Sequence, residues 1–296
     1  MALDGNGHVW VTTTTDTEEY DGQGNNIINN SQGGTGIAID ANGTPWVATS
    51  QGLNQVNPST GAGEAFPGNN DIATSAGPVA IDHAGNIWGA STITGQVFEL
   101  SSNGTQQNVF SVVPAPSTAG GMGIDANGNL WVCSNDGFLR EVSSGGSIMQ
   151  SINLGGDPQN LAIDQNGSVW VTDHQNNVVD EISSAGASLG QFAVGNSPTG
   201  IAIDQAGNVF VANGGDGNID ILTPRGNIVN MVTLSPISGT AASPQPIGLA
   251  IDASGTLWVL DTAFSGIHQI TSAAQGPQFF PYSGPNMPWG SGLNGF

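Results

Sequence analysis

Three features of this 296-residue chain predict an all-β fold, a seven-bladed propeller of four-stranded antiparallel blades. The first is a phrase that occurs seven times: an Asp, a Gly three residues on, and an indole or phenyl ring three beyond that. The copies are Asp4-Gly7-Trp10, Asp40-Gly43-Trp46, Asp82-Gly85-Trp88, Asp125-Gly128-Trp131, Asp164-Gly167-Trp170, Asp204-Gly207-Phe210 and Asp252-Gly255-Trp258. The second is spacing: successive aspartates lie on average about 41 residues apart, the length of one four-stranded blade. The third is that no segment carries helical apolar periodicity with caps. Together these place residues 1–296 in a single closed domain.

The elements follow in order within one copy. In Leu161-Ala-Ile-Asp164-Gln-Asn-Gly167-Ser-Val-Trp170-Val-Thr172 two β-prone runs flank a turn with Asp at its start and Gly at a position suited to positive φ, which predicts a hairpin of strands one and two. After a polar stretch, Val178–Ile182 alternates as strand three, Ser183-Ser-Ala-Gly186 turns, and Leu189–Phe192 is strand four. Gly195-Asn-Ser-Pro198 then leads to the next copy. Pro45 beside Trp46 removes a ladder N–H from the second strand of blade two, so a bulge or a locally unpaired site is expected there. The tail at Pro288-Trp-Gly-Ser-Gly-Leu293 echoes the start of an inner strand and is expected to lie in the first blade and close the ring, since closure removes exposed sheet edges.

Composition narrows the function. Two basic residues, Arg140 and Arg225, stand against 23 acidic ones, for a formal charge of -21. Binding to phosphate backbones needs clustered Lys and Arg, so nucleic acid is excluded as a partner, and anionic membranes with it. No run of 18 apolar residues is present for a membrane helix. Asn, Gly, Ser, Thr and Gln supply the polar surface, a habit of secreted proteins that predicts an extracellular, periplasmic or cell-surface location. The first repeat begins at Met1-Ala-Leu-Asp4, so no signal peptide is expected within this chain, and a secreted protein would have had its leader removed. Cys133, the single cysteine, follows Trp131-Val132 where other copies carry Ala48, Ala90, Thr172, Ala212 and Leu260, and is expected as a small buried apolar group.

The repeated phrase is framework. Asp125-Ala-Asn-Gly-Asn129 looks like half of a Ca²⁺ loop, but no bidentate acid closes it, and Asp capping its own tight turn accounts for the pattern. One ring per blade within alternating Val and Ile is expected to pack between blades.

The phrase Gly-Ile-Ala-Ile-Asp-x-x-Gly-Asn-x-Trp-Val, seen from Gly200 to Val211 with Phe in place of Trp, resembles the NHL repeat and the related streptogramin-lyase-like propellers. The resemblance covers nearly the whole chain. NHL propellers commonly have six blades and streptogramin lyases seven, so the count points to the second group. The Asn-Asn-Arg-Ile of NHL repeats is kept only in part, at Asn176-Asn-Val-Val179 and Gly217-Asn-Ile219, without its Arg. Streptogramin-lyase-like enzymes open a lactone by elimination with a His, acidic residues and Mg²⁺ near the last blades. His268 with Asp261 is the positional match, while the supporting Glu is missing, since every glutamate lies at or before Glu181. Gluconolactonase-like propellers hold one Ca²⁺ with Glu, Asn and Asp, a set that Glu18 or Glu19, expected in the mouth loop after strand two of blade one, could imitate with Asn160 and Asp216.

Function is expected where the copies differ, in the loops that join strands two and three and blade to blade around the channel mouth. For a metal, Ca²⁺ or Mg²⁺, the candidates are Asp173, His174, Asp216 and Asp261. His174 and His268 are the candidate catalytic groups. Asp157, Asn160 and Trp289 are the candidate ligand contacts. His8 and His83 fall away from the predicted mouth. The leading expectation is a binding or interaction module for a small molecule, glycan or protein. The alternative is a divalent-metal-dependent lyase or lactonase-type hydrolase at the mouth.

Overall fold

The structure is a computed structural model that describes residues 1–50, 52–65, 76–114, 117–235, 242–271 and 278–281. Seven four-stranded antiparallel sheets are present, and each is built from one contiguous stretch of chain with its strands in sequence order. Blade five is typical: its strands are Pro158–Ile163, Val169–Asp173, Val178–Ile182 and Ser188–Ala193. The first strands touch one another in order around the ring, and that of blade seven, Pro246–Ile251, meets that of blade one, Ala2–Leu3. The tail at 288–293, expected to close the ring, lies outside the described residues. Among the described residues, blades seven and one join through their own side chains: Met1, Leu3, Val11 and Tyr20 pack with Ala250, Trp258 and Ile267.

Among the described residues the buried apolar side chains form seven clusters, each between two neighbouring blades, and not one central core. Trp170 of blade five, for example, packs with Ile201, Val209 and Val211 of blade six. The reason lies in strand periodicity: alternate residues point to opposite faces of a blade, and both faces are covered by neighbours, so Val-Trp-Val can be buried throughout. Trp170 also stacks on Phe192 of its own fourth strand, with ring centroids 5.5 Å apart. A Cβ on Gly226 in blade six would run into that Phe192 ring, so the glycine is required by close approach as well as by its φ of +76°.

The Asp-Gly-aromatic phrase has a purpose at every position. Asp164 Oδ1 accepts the backbone N–H groups of Asn166 and Ser168, at 2.8 and 2.9 Å, and so holds the first hairpin. Gly167 takes φ +80° at the turn. Asp164 Oδ2 then accepts the indole N–H of Trp170 at 3.4 Å. Blades two, three and four repeat that bond from Trp46, Trp88 and Trp131. Blade six, with Phe210, has no ring N–H, and Asp204 Oδ2 accepts Asn208 Nδ2 at 2.8 Å instead.

Pro45 causes no register shift in its pairing with the first strand, where it lies opposite Ile39. On the other side the ladder begins one residue later, at Trp46 opposite Gln55, which leaves Pro45 unpaired toward strand three. Its place as the first residue of Pro45–Thr49 makes the missing N–H tolerable. Cys133 is fully buried, and burial pushes its thiol up to about 12. Among the described residues no helix is long and apolar enough to cross a membrane.

Candidate functional site

In each blade the residue three past the ring is polar: Thr13, Thr49, Ser91, Ser134, Asp173, Asn213 and Asp261. Each is buried at the mouth end of strand two and caps or braces the loop to strand three. Ser91 Oγ accepts the N–H groups of Ile93 and Thr94 at 3.2 and 3.1 Å. Asp173 does the same work with more bonds: Oδ1 accepts from the backbone of Asp157, Gln175 and Asn176, each at 3.0 Å, and Oδ2 accepts Asn176 Nδ2 at 2.7 Å. Asp261 Oδ1 accepts from Gln245 and Ala263, and its Oδ2 lies 2.9 Å from His268 Nε2. Two of the four candidate metal ligands therefore sit at a position that every blade uses to hold its loop.

The remaining candidates disperse around the mouth. Asp216 accepts both the backbone N–H and the side-chain amide of Asn196, each at 2.7 Å, and these bonds hold its carboxyl below the usual range. His174 Nδ1 is 3.8 Å from Asp157 Oδ2, with 42% and 33% of the two side chains exposed. Asn160 is buried, and its Oδ1 accepts the N–H of Leu161 at 2.9 Å. His268 is 2% exposed. Trp289 lies outside the described residues. The structure thus joins Asp157, Asp173 and His174 in one loop pair and Asp261 with His268 in another. Among the described residues, Asp173, His174, Asp216 and Asp261 do not form a group of three ligand atoms within metal-binding reach.

Glu18 and Glu19, expected in a mouth loop, instead belong to the third strand of blade one, Thr17–Tyr20. Glu18 is fully buried and accepts from Tyr20 Oη and, at 3.0 Å, from Asn29 Nδ2. Glu19 lies opposite Trp10 and reaches the hairpin end of the blade, where His8 Nδ1 is 2.7 Å from its Oε1. The missed signal was register: a residue opposite the repeat ring lies near the Asp turn and far from the mouth.

A buried acid stands out on the strand-three position that faces the middle of strand two. Here Arg140 of blade four bonds Ser134, Asp220 of blade six accepts Asn213 Nδ2, and His268 meets Asp261. In blade five the residue is Asp180, whose Oδ2 is buried without a hydrogen-bond partner. Burial, with the charge of Asp173 nearby, pushes its carboxyl up to about 6, against the donor Gln191.

A cavity of about 370 Å³ lies among the first strands of blades one to five, at the end opposite the mouth. Leu3, Ile39, Ile81, Ile124 and Ile163 line it, with Asp82 and His83 among its rim residues.

Fold and site together define a class: a seven-bladed propeller with acid-braced loops at the mouth and blades packed face to face through pairwise clusters. The fold is that of the streptogramin-lyase-like propellers. A catalytically inactive histidine-to-alanine variant of virginiamycin B lyase from Staphylococcus aureus with quinupristin is similar at TM-score 0.73 and 15% identity, covering 93% of this chain and 87% of that one. A streptogramin B lyase structure is similar at TM-score 0.75 and 16% identity, covering 94% and 86%. A functionally unknown protein from Desulfotomaculum acetoxidans is similar at 0.73 and 15%, covering 92% and 94%. No family model matches the sequence. No curated protein sequence matches it either. At these identities the likeness is one of fold.

Proposed function

We propose that this chain is a binding module, outside the cytoplasm, that engages a small molecule, glycan or protein at the mouth face and has no catalysis of its own. The observation that supports this most is the use made of the mouth acids. Asp173, Asp216 and Asp261 each accept backbone N–H groups from a neighbouring segment and so fix the loops. Loops held in this way offer a rigid surface, which lowers the ordering cost of binding. His174 and Asp157, both exposed, are then contact groups on a prepared face.

A second reading, a metal-dependent lyase, is favoured by the fold likeness to streptogramin B lyases and by the Asp261–His268 pair in blade seven. Against it stands the burial of that pair, which leaves His268 little access to a substrate. Incubation with quinupristin and Mg²⁺, followed by chromatography of the depsipeptide, separates the two. Under the binding-module reading quinupristin emerges with its ring intact. Ring opening that disappears in His268→Ala would overturn that reading in favour of the lyase.

A further inference from the structure

The first hairpin of blade one differs from its six counterparts in a way the loops at the mouth do not explain. Each blade places three residues together at its hairpin end: the turn Asp, the residue four further on, and the strand-three residue opposite the ring. In blade four these are Asp125, Asn129 and Glu141, and Asn129 Nδ2 bridges the two carboxylates, at 3.5 and 2.8 Å. The middle residue is Thr44, Asn86, Asn129, Ser168, Asn208 or Thr256 in blades two to seven. None of these is a ligand of choice for a transition metal. Blade one alone has an imidazole there, His8, between Asp4 and Glu19.

His8 Nδ1 lies 2.7 Å from Glu19 Oε1 and 3.7 Å from Asp4 Oδ2. All three ligand atoms fall within 4.8 Å of one another, the one such group among the described residues. Ligand atoms around a tetrahedral Zn²⁺, with bonds near 2.0 Å, are about 3.3 Å apart, so the observed distances bracket the required one. Asp4 Oδ1 accepts the N–H groups of Asn6 and His8, which fixes the carboxylate, while Oδ2 faces His8 and accepts a long bond from Asn6 Nδ2 at 3.4 Å. In blades two to five the indole N–H holds the turn carboxylate; Trp10 Nε1 of blade one is buried and has no hydrogen-bond partner, so its ring does not hold Asp4. His8 remains 30% exposed, which leaves a path for a cation and a water.

The electrostatics point the same way. Two carboxylates beside one imidazole, in a chain with a net charge of -21, favour a divalent cation.

We propose that Asp4, His8 and Glu19 form a binding site for a transition-metal dication of the Zn²⁺ type, with water at the remaining position. The imidazole selects this class over Ca²⁺ and Mg²⁺, which prefer oxygen ligands. The site is independent of the mouth and of either reading of the function.

Isothermal titration of the full chain with Zn²⁺ tests the assignment, with Co²⁺ absorption to report a tetrahedral nitrogen–oxygen set. One Zn²⁺ per chain is expected, not displaced by millimolar Mg²⁺ or Ca²⁺. His8→Asn and Glu19→Gln should each weaken it by about 100-fold or more, beyond the loss typical of an outer-shell change, while His174→Ala leaves it unchanged. His8→Asn is the arrangement blade four already uses, and near-UV circular dichroism shows which variants are folded. Absence of saturable Zn²⁺ binding in the wild type, or equal binding in the wild type and whichever of the two variants folds, would overturn the proposal.

Discussion

The indole N–H of Trp170 donates to Asp164 Oδ2 at 3.4 Å, across the first hairpin of blade five. That bond ties the ring between blades to the turn that precedes it, so the two most conspicuous residues of the repeat are one device. Trp170→Phe keeps a ring against Phe192 and removes the donor together with the smaller volume of the second indole ring. The expected loss is about 1 kcal/mol, whereas Trp170→Ala should cost about 3–5 kcal/mol through the cavity it leaves. Urea unfolding of the two variants checks the ratio, and equal losses would mean that the hydrogen bond, not the ring, carries the site.

Asp173 accepts four hydrogen bonds at the base of its loop. Asp173→Ala leaves those donors unmet and should cost about 2–4 kcal/mol. Asp173→Asn should cost less than half as much, since blade six uses Asn213 at the same place. Thermal unfolding of both variants measures the difference. A harmless Asp173→Ala would remove the bracing role assigned to this position.

Asp180 gives the stability a pH dependence of unusual sign for an acid. Its carboxyl is pushed up to about 6 in the folded chain, from 3.8, so the folded state holds the proton more tightly than the unfolded one. Its contribution is fully present below about pH 4 and is lost as pH rises through about 6. Asp180→Asn removes this loss and should raise stability at pH 8 by about 1–2 kcal/mol, allowing for screening by the solvent that still reaches the site. Melting temperatures of wild type and variant should converge toward pH 4 and separate above pH 6. Parallel curves would refute the shift.

Cys133 should be silent in the native protein. Its sulfur is buried in the cluster between blades four and five and its thiol is pushed up to about 12. Reaction with a disulfide reagent at pH 8 is expected to proceed only as fast as the chain opens, and to become immediate in denaturant. Rapid labelling without denaturant would contradict the packing of Trp131, Leu139 and Leu161 around it.

The fold was legible because the phrase fixes both a turn and a buried ring, and its period fixes the blade. Strand three of blade five ran from Val178 to Ile182 in sequence and structure alike. Strand four, read at Leu189–Phe192, is longer by one residue at each end. The hydrogen bond from Trp170 to Asp164 was not legible, since six residues of separation reveal nothing about which way the indole turns. The candidate site was less legible for a related reason. Asp173 and Asp261 differ from Thr49 and Ser91 in charge, which draws attention, but the position three past the ring is a buried polar residue in all seven blades. His8 and Glu19 meet only through the register of strands two and three, which composition and motif spacing do not convey.

The seven separate clusters between blades have a consequence for how such a chain tolerates change. Each blade answers to two neighbours and to no shared interior. A substitution in blade two must be accommodated by blades one and three, and blade five is untouched by it. Drift therefore proceeds blade by blade, with the ring kept by pairwise fit. That is how seven segments with little in common beyond an Asp, a Gly and a ring still close on one another, and how one of them can exchange an asparagine for a histidine without its neighbours having to change.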